Sequence, residues 1–460
     1  MPAPLVVRSI EQRAGSGKEK NMTPSNNNNK DLTAYARRLI VLFGLVYFCQ
    51  GFAQHVGLVS QPLQFFFKQA LGLNPAQVTE YLAVLTIPWT IKPLYGLVSD
   101  FIPLFGYRRK TWLLVTNALA ASGFLWMFGL DNPATIVTAL MLTAFGTAAS
   151  DVIIDAVMVE NGKKTGMTAK FQSVQWLWIN IASVGTSLLG GWLCTMFEPG
   201  TALHVAAMIT LCAPLSVMAA SWFIVREEKS SVNVAEMKAT TKSLFAGFRS
   251  KTLWAVIAFL AFWYFSPSFG SPWYYHQTDT LHFSQAFIGI LGAVGSAGQV
   301  IGALLYGRYF AKRTLKQQLA FSIVTGTIGT LAYLTLLTPG AYSQAIAIGI
   351  NLVFGAAAMI ATLSTLTLAA QACPPKAEGF TFAALMSVTN GFTQISAIIG
   401  ARLYVDVFHS LTPLIFISAG FTFACFLLLP ILSGVPEANN DDDAQGPPTG
   451  PAGPTDGDKK

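Results

Sequence analysis

From Arg37 to Ile431 the chain alternates apolar runs of about 20 residues or more with short polar breaks. The runs lie at roughly 39–66, 76–103, 111–130, 133–160, 170–196, 202–225, 251–276, 284–309, 315–338, 343–371, 379–404 and 411–433. A helix rises 1.5 Å per residue, so about 20 apolar residues cross a hydrocarbon core about 30 Å thick. The pattern therefore predicts an all-α membrane protein with twelve transmembrane helices. Several runs exceed 25 residues, which predicts tilt, kinks or helix beyond the lipid.

Residues 1–36 and 434–460 are polar and are expected to be disordered tails. The longest internal break, 227–250, carries Glu227, Glu228, Lys229, Glu236, Lys238, Lys242 and Arg249. Six runs precede it and six follow, so it reads as a linker between a 37–226 half and a 251–433 half. A weak repeat agrees. Leu94-Tyr95-Gly96 precedes one basic turn, and Leu305-Tyr306-Gly307 precedes another. Two pseudo-symmetric six-helix halves with binding at their interface describe many secondary transporters.

Composition strengthens the membrane assignment: 53% of residues are hydrophobic and only 11% charged, against about 25% charged in soluble domains. The net charge of +7 invites a nucleic-acid partner, but its distribution argues against one. With both termini placed in the cytoplasm, 26 of the 29 Lys and Arg residues lie on the inner side; only Lys68 and Arg402 lie outside, and Lys92 lies within a run. That asymmetry is a topology signal. No apolar stretch follows the early basic residues, so no cleaved signal peptide is expected. The five cysteines are scattered without CxxC spacing, which predicts neither disulfide framework nor metal site. No GxxxxGK[ST], HExxH or GxSxG pattern occurs, so no ATP site, no cofactor and no enzyme activity are expected.

Ionisable residues inside spans are costly and are functional candidates by default. Five stand out, all in the second and fourth runs: Lys92, Asp100, Asp151, Asp155 and Glu160. Lys92 lies eight residues before Asp100 and Asp151 nine before Glu160, about 12 and about 13.5 Å deeper than the helix ends. Lys92 and Asp151 are thus depth-matched and can neutralise each other. Asp151 and Asp155 share one helical face. Two carboxylates facing one lysine leave a surplus charge, which makes Asp151 or Asp155 a candidate proton-coupling site. A static ion-pair cluster is the alternative. Near the surface, Asp100 and Glu160 face the turn Arg108-Arg109-Lys110, a set able to pair and separate as a cytoplasmic gate; positive-inside topology alone is the plainer explanation. The seventh run holds Trp263 and Tyr264 near Pro267 and Pro272, and a broken helix is where a midplane site forms. Gln54 adds a polar group to the first run. Gly298-x3-Gly302 favours close packing inside the bundle over dimerisation, and a monomer is expected.

The stretch Pro88-Trp-Thr-Ile-Lys-Pro-Leu-Tyr-Gly-Leu-Val-Ser-Asp-Phe-Ile-Pro-Leu-Phe-Gly-Tyr-Arg-Arg109 resembles the folate–biopterin transporter family of the major facilitator superfamily. Ser150-Asp151-Val-Ile-Ile-Asp155, Val159-Glu160, Gln172-Ser173, Cys373-Pro374 and Glu378-Gly-Phe-Thr-Phe-Ala383 extend the resemblance over about 37–433. It implies a twelve-helix, alternating-access carrier for folates or pterins, working as a proton symporter in the cell (inner) membrane. It also implies that Asp100 meets the start of the eleventh span near Glu378, which joins the gate. A pterin needs a hydrogen-bonding acceptor and aromatic stacking, for which Asp151 or Asp155 and Trp176 or Trp263 are suited; Lys92 would face a folate's glutamate tail. Other cargoes remain open within the superfamily, namely S-adenosylmethionine or peptidoglycan fragments. So does a sensor without flux.

Overall fold

A computed structural model describes residues 26–54, 56–165, 167–229, 250–373 and 378–435. The regular structure of these residues is helical, with no strand beyond one isolated bridge between Leu104 and Tyr107. Nine helical stretches among them are long and apolar enough to cross a membrane. The expected runs at 76–103, 111–130 and 251–276 are the exceptions, and two of these three owe their interruption to proline.

The first run folds as α1 (Asn26–Ala53) and α2 (Ser60–Gln69) around a bend. Gly57 makes that bend possible: a Cβ there would sit 2.4 Å from the Phe52 carbonyl oxygen. The second run becomes three rods, α3 (Pro75–Val84), α4 (Ile87–Thr90) and α5 (Lys92–Phe101). An Asn74–Gln77 capping box starts α3. Pro88 and Pro93 occupy first-turn positions in α4 and α5, where a missing amide hydrogen is tolerated; inside one continuous helix each would remove a backbone hydrogen bond. α6 (Lys110–Trp126) has 17 residues. Then follow α7 (Pro133–Thr165), α8 (Thr168–Met196) and α9 (Pro199–Ile224).

Beyond residue 250 the seventh run splits into α10 (Lys251–Tyr264) and α11 (Gly270–Asp279), with Pro267 in the gap. α12 (Gln285–Leu305) continues through a π-helical turn at Tyr306–Phe310. α13 (Leu315–Ala332), α14 (Ser343–Gln371), α15 (Glu378–Arg402) and α16 (Leu411–Ala424) complete the bundle, and α15 ends in a second π-helical turn, Leu403–Phe408.

Buried apolar side chains form separate clusters on either side of the 227–250 break. One draws on residues 36–225, and two draw on 253–435 and 281–350. Contacts between the two groups of helices include small and polar residues. α8 meets α12 at Gly191 and Gly289, where a Cβ on Gly289 would lie 2.5 Å from the Ser187 carbonyl oxygen and 3.0 Å from the Gly191 Cα. Gly298 and Gly302 serve packing within the chain: a Cβ on either would lie 2.3 or 2.2 Å from carbonyl oxygens of Leu352 and Ala356 on α14.

Candidate functional site

α7 carries Asp151 and Asp155 one turn apart on one face, and three other helices meet them. Lys92, the first residue of α5, donates from Nζ to Asp151 Oδ2 at 2.6 Å. The lysine also sits 4.6 Å from the centre of the Trp89 ring. Asp155 accepts from the Tyr47 hydroxyl of α1 at 2.5 Å and from Gln175 Nε2 of α8 at 3.3 Å. The cluster therefore holds two carboxylates, one ammonium and two neutral donors, and it ties together α1, α5, α7 and α8. Asp151 is buried, with a side chain only 10% exposed. Two side chains nearby in sequence have buried polar atoms with no hydrogen-bond partner among the described residues: the Gln50 amide, three residues beyond Tyr47, and the Tyr95 hydroxyl, three beyond Lys92. A buried polar group left unpaired costs about 1–3 kcal/mol, so both positions suit contacts made by something other than this chain.

At the end of the bundle that carries the basic turn, Arg109 is the hub. Its guanidinium donates to Asp100 Oδ1 at 2.5 Å, to Glu160 Oε1 at 2.6 Å and to Ser99 Oγ at 3.1 Å. Burial works against the charge of Arg109, but Asp100 and Glu160 more than offset it and hold the group above the ordinary arginine value. Arg108 stands farther off, 3.9 Å from Asp100. The backbone of the same turn is held by Glu227. Its carboxylate accepts from the amides of Arg108 at 2.7 Å, Arg109 at 3.0 Å and Lys110 at 2.9 Å. An anion is favoured there because these amides open α6. All of these partners precede residue 228. Glu378 opens α15, but its side chain lies outside the described residues, as do residues 374–377. α5 does pack on α15, while the described ionic partners of Asp100 are Arg108 and Arg109.

The opposite end is where the two groups of helices are joined by charge. Lys68 on α2 bonds Asp279 and Thr278 at the end of α11 and lies 4.6 Å from the Tyr275 ring centre. The Tyr275 hydroxyl donates to the Leu73 carbonyl. Gln61 Nε2 donates to the Gln285 carbonyl at 2.8 Å and to its side chain at 3.0 Å. Arg402 on α15 donates from Nε to Glu80 of α3 at 2.7 Å. Lys68 and Arg402 are the two cations that the charge count leaves on the outer side.

The remaining expected site residues stand apart from the acidic cluster. Trp176 on α8 is 41% exposed. Trp263 packs against Phe259 with ring centres 5.7 Å apart, and the Tyr264 hydroxyl pairs with Thr365 Oγ1 of α14 at 3.1 Å. Gln54 is half-buried at the α1 bend. Sequence reasoning missed Tyr47, Gln175 and Glu227. A tyrosine inside the first run was a signal for the first of these; the other two depend on helix registers that no local pattern encodes. Among the described residues no group of His, Cys, Asp and Glu is arranged to hold a metal ion.

The chain is 30% identical to the folate-biopterin transporter of Synechocystis sp. over 372 residues, 78% of this chain and 73% of that protein. It is 26% identical to the probable folate-biopterin transporter 4 of Arabidopsis thaliana, over 81% of this chain and 89% of the relative. It is 24% identical to folate transporter 1 of Plasmodium falciparum, covering 56% and 51%. Among solved structures it resembles the nucleoside transporter NupG, with TM-score 0.66, 15% identity and coverage of 87% of this chain and 99% of that one. The peptide transporter PepTSo is similar at TM-score 0.67 and 12% identity, covering 86% and 97%. The fold is that of the major facilitator transporters, and the protein is an integral, multi-pass membrane transporter. The family model described as the BT1 family matches residues 50–446, and the chain belongs to that family.

Proposed function

We propose that this protein is a secondary active transporter that moves folate or pterin-type compounds across a membrane by alternating access, driven by protons. The observation that carries the coupling is the surplus carboxylate. Lys92 pairs with Asp151, and the hydrogen-bond partners of Asp155 among the described residues are the neutral donors Tyr47 and Gln175. A proton arriving at Asp155 removes the one unmatched charge of the cluster. Its departure restores an attraction toward Lys92, so protonation and helix position are linked. The names of the relatives support the cargo class, and the chemistry is compatible. Gln50 and Tyr95 offer unspent hydrogen-bonding groups, Lys92 and the carboxylates offer charge, and Trp263 and Tyr264 of the other helix group offer aromatic faces.

In this reading the basic turn and both termini are cytoplasmic, supported by the asymmetry of Lys and Arg along the chain. Lys68 and Arg402 then close the outer side between two six-helix halves, 37–226 and 251–433, joined by the 227–250 linker. The Asp100–Arg109–Glu160 set lies at the inner mouth, where Arg108 and Glu378 are the further gate residues. The protein works as a monomer in the cell membrane on a small-molecule substrate, without a cofactor or nucleic acid and without catalysing a reaction.

Purified protein in liposomes, given labelled folic acid or biopterin, tests both parts. Substrate counterflow is expected, with uptake accelerated by an imposed pH gradient. Asp155→Asn should keep counterflow and lose the acceleration. A fully gradient-driven Asp155→Asn protein would remove Asp155 from the coupling role, and failure of every folate and pterin to bind or compete would overturn the cargo.

A further inference from the structure

At the end of the bundle that carries the basic turn, a cavity of about 420 Å³ opens between α6 and α9. Lys110, Arg226, Tyr107, Thr111, Trp222 and Phe223 are among its walls. Its polar and apolar parts are separated. Trp222 and Phe223 are 58% and 80% exposed on the outer surface of α9, where a transmembrane bundle meets lipid. Exposed aromatic residues at the end of a spanning helix mark the interface with the headgroup layer.

The charge balance of this cavity is one-sided. Glu227 is its one carboxylate among the described lining residues, and both oxygens are already spent on the amides of Arg108, Arg109 and Lys110. Neither Lys110 nor Arg226 has an ion-pair partner among the described residues. Both are positioned by aromatic rings instead. Lys110 Nζ lies 4.8 Å from the Trp222 ring centre, and the Arg226 guanidinium carbon lies 5.5 Å from that of Tyr35. Arg226 is further fixed because its amide donates to the Tyr35 hydroxyl at 3.4 Å. Two pre-positioned cations against one carboxylate leave a net positive cavity whose outer wall is greasy.

We propose that this cavity binds the headgroup of an anionic phospholipid. The phosphodiester and any second acidic group lie between Lys110 and Arg226, and an acyl chain runs along Trp222 and Phe223. Basic residues beside a spanning helix attract acidic lipids in this way. The apolar wall distinguishes a lipid from a soluble anion, which has no use for it. Lipid binding at this cavity is independent of the transported compound.

Native mass spectrometry of the full chain with phosphatidylglycerol and phosphatidylcholine tests it. Phosphatidylglycerol should be retained selectively, and Lys110→Ala/Arg226→Ala should weaken its binding about 30-fold. Lys312→Ala/Arg313→Ala, at the exposed basic turn of the other helix group, should leave binding unchanged and controls for net charge. Inorganic phosphate at millimolar concentration should not displace the lipid. Equal retention of both lipids, equal loss in the two double variants, or displacement by phosphate would each overturn the assignment.

Discussion

Lys68 offers the most direct handle on how the two groups of helices are held together. Replacing it with alanine removes a charged hydrogen bond to Asp279, a second to Thr278 and the cation–π contact with Tyr275. Charged hydrogen bonds contribute about 1.5–3 kcal/mol when shielded. The Asp279 side chain is 59% exposed, so its share falls toward the 1 kcal/mol or less of a surface pair. The ring adds about 0.5–1 kcal/mol at a partly exposed site. The combined loss is about 2 kcal/mol, which shifts the closed-to-open ratio at this end about 30-fold. Cys194 is a native reporter. It is buried, and it follows Gly191 by three residues along the α8 side of the seam. With the other four cysteines replaced, Lys68→Ala should raise the labelling rate of Cys194 by a polar maleimide about 30-fold. Lys68→Ala/Asp279→Ala should add little more, because the two residues share one interaction. Unchanged labelling in Lys68→Ala would refute the claim that this contact holds the end closed.

Three further outcomes follow from the same geometry. Gly289→Val should overpack the α8–α12 seam by about 1–3 kcal/mol and raise Cys194 labelling without touching a charge; a rate equal to that of the parent protein would mean the seam has room to relax. Arg109→Ala leaves Asp100 and Glu160, each more than 40% exposed, without their shared cation, with only Arg108 3.9 Å from Asp100. A stability loss of about 2–3 kcal/mol is expected, read as a lower melting temperature, and Arg109→Lys should recover only part of it because one ammonium cannot span the fork. Glu227→Ala removes the carboxylate that satisfies three amides at the start of α6 and should cost about 1–2 kcal/mol; Glu227→Gln, which keeps an acceptor oxygen, should cost less.

The helical class and most of the spans are legible in the sequence because hydrophobic length is a one-dimensional property. The pairing of Lys92 with Asp151 is legible for a similar reason: depth along a helix follows from residue count, and both residues could be measured from a helix end. The partners of Asp155 are not legible, since the register of α1 and α8 against α7 is set by packing among distant residues. Prolines announced the break between α10 and α11, but not that the second run would form three rods. The same limit applies to Glu227, which reads as the first residue of a linker and instead closes the amide end of a helix more than 100 residues earlier. Trp176, Trp263 and Tyr264 are candidates on chemistry alone, and nothing in their spacing specifies their neighbours.

The division of the apolar clusters has a mechanical consequence. Each group of helices keeps its own greasy interior, and Tyr275 is the one described side chain of the later group packed on the cluster of the earlier one. A displacement of one group against the other leaves the two main interiors separate and disturbs Tyr275 and the α8–α12 seam. It exchanges a few bonds at the rim, those of Lys68, Gln61, Tyr275 and Arg402, for contacts with water. Resistance to such a displacement then comes from the glycine seam between α8 and α12, from the Asn390–Trp89 hydrogen bond and from these rim side chains, which act as bolts on two blocks with separate interiors.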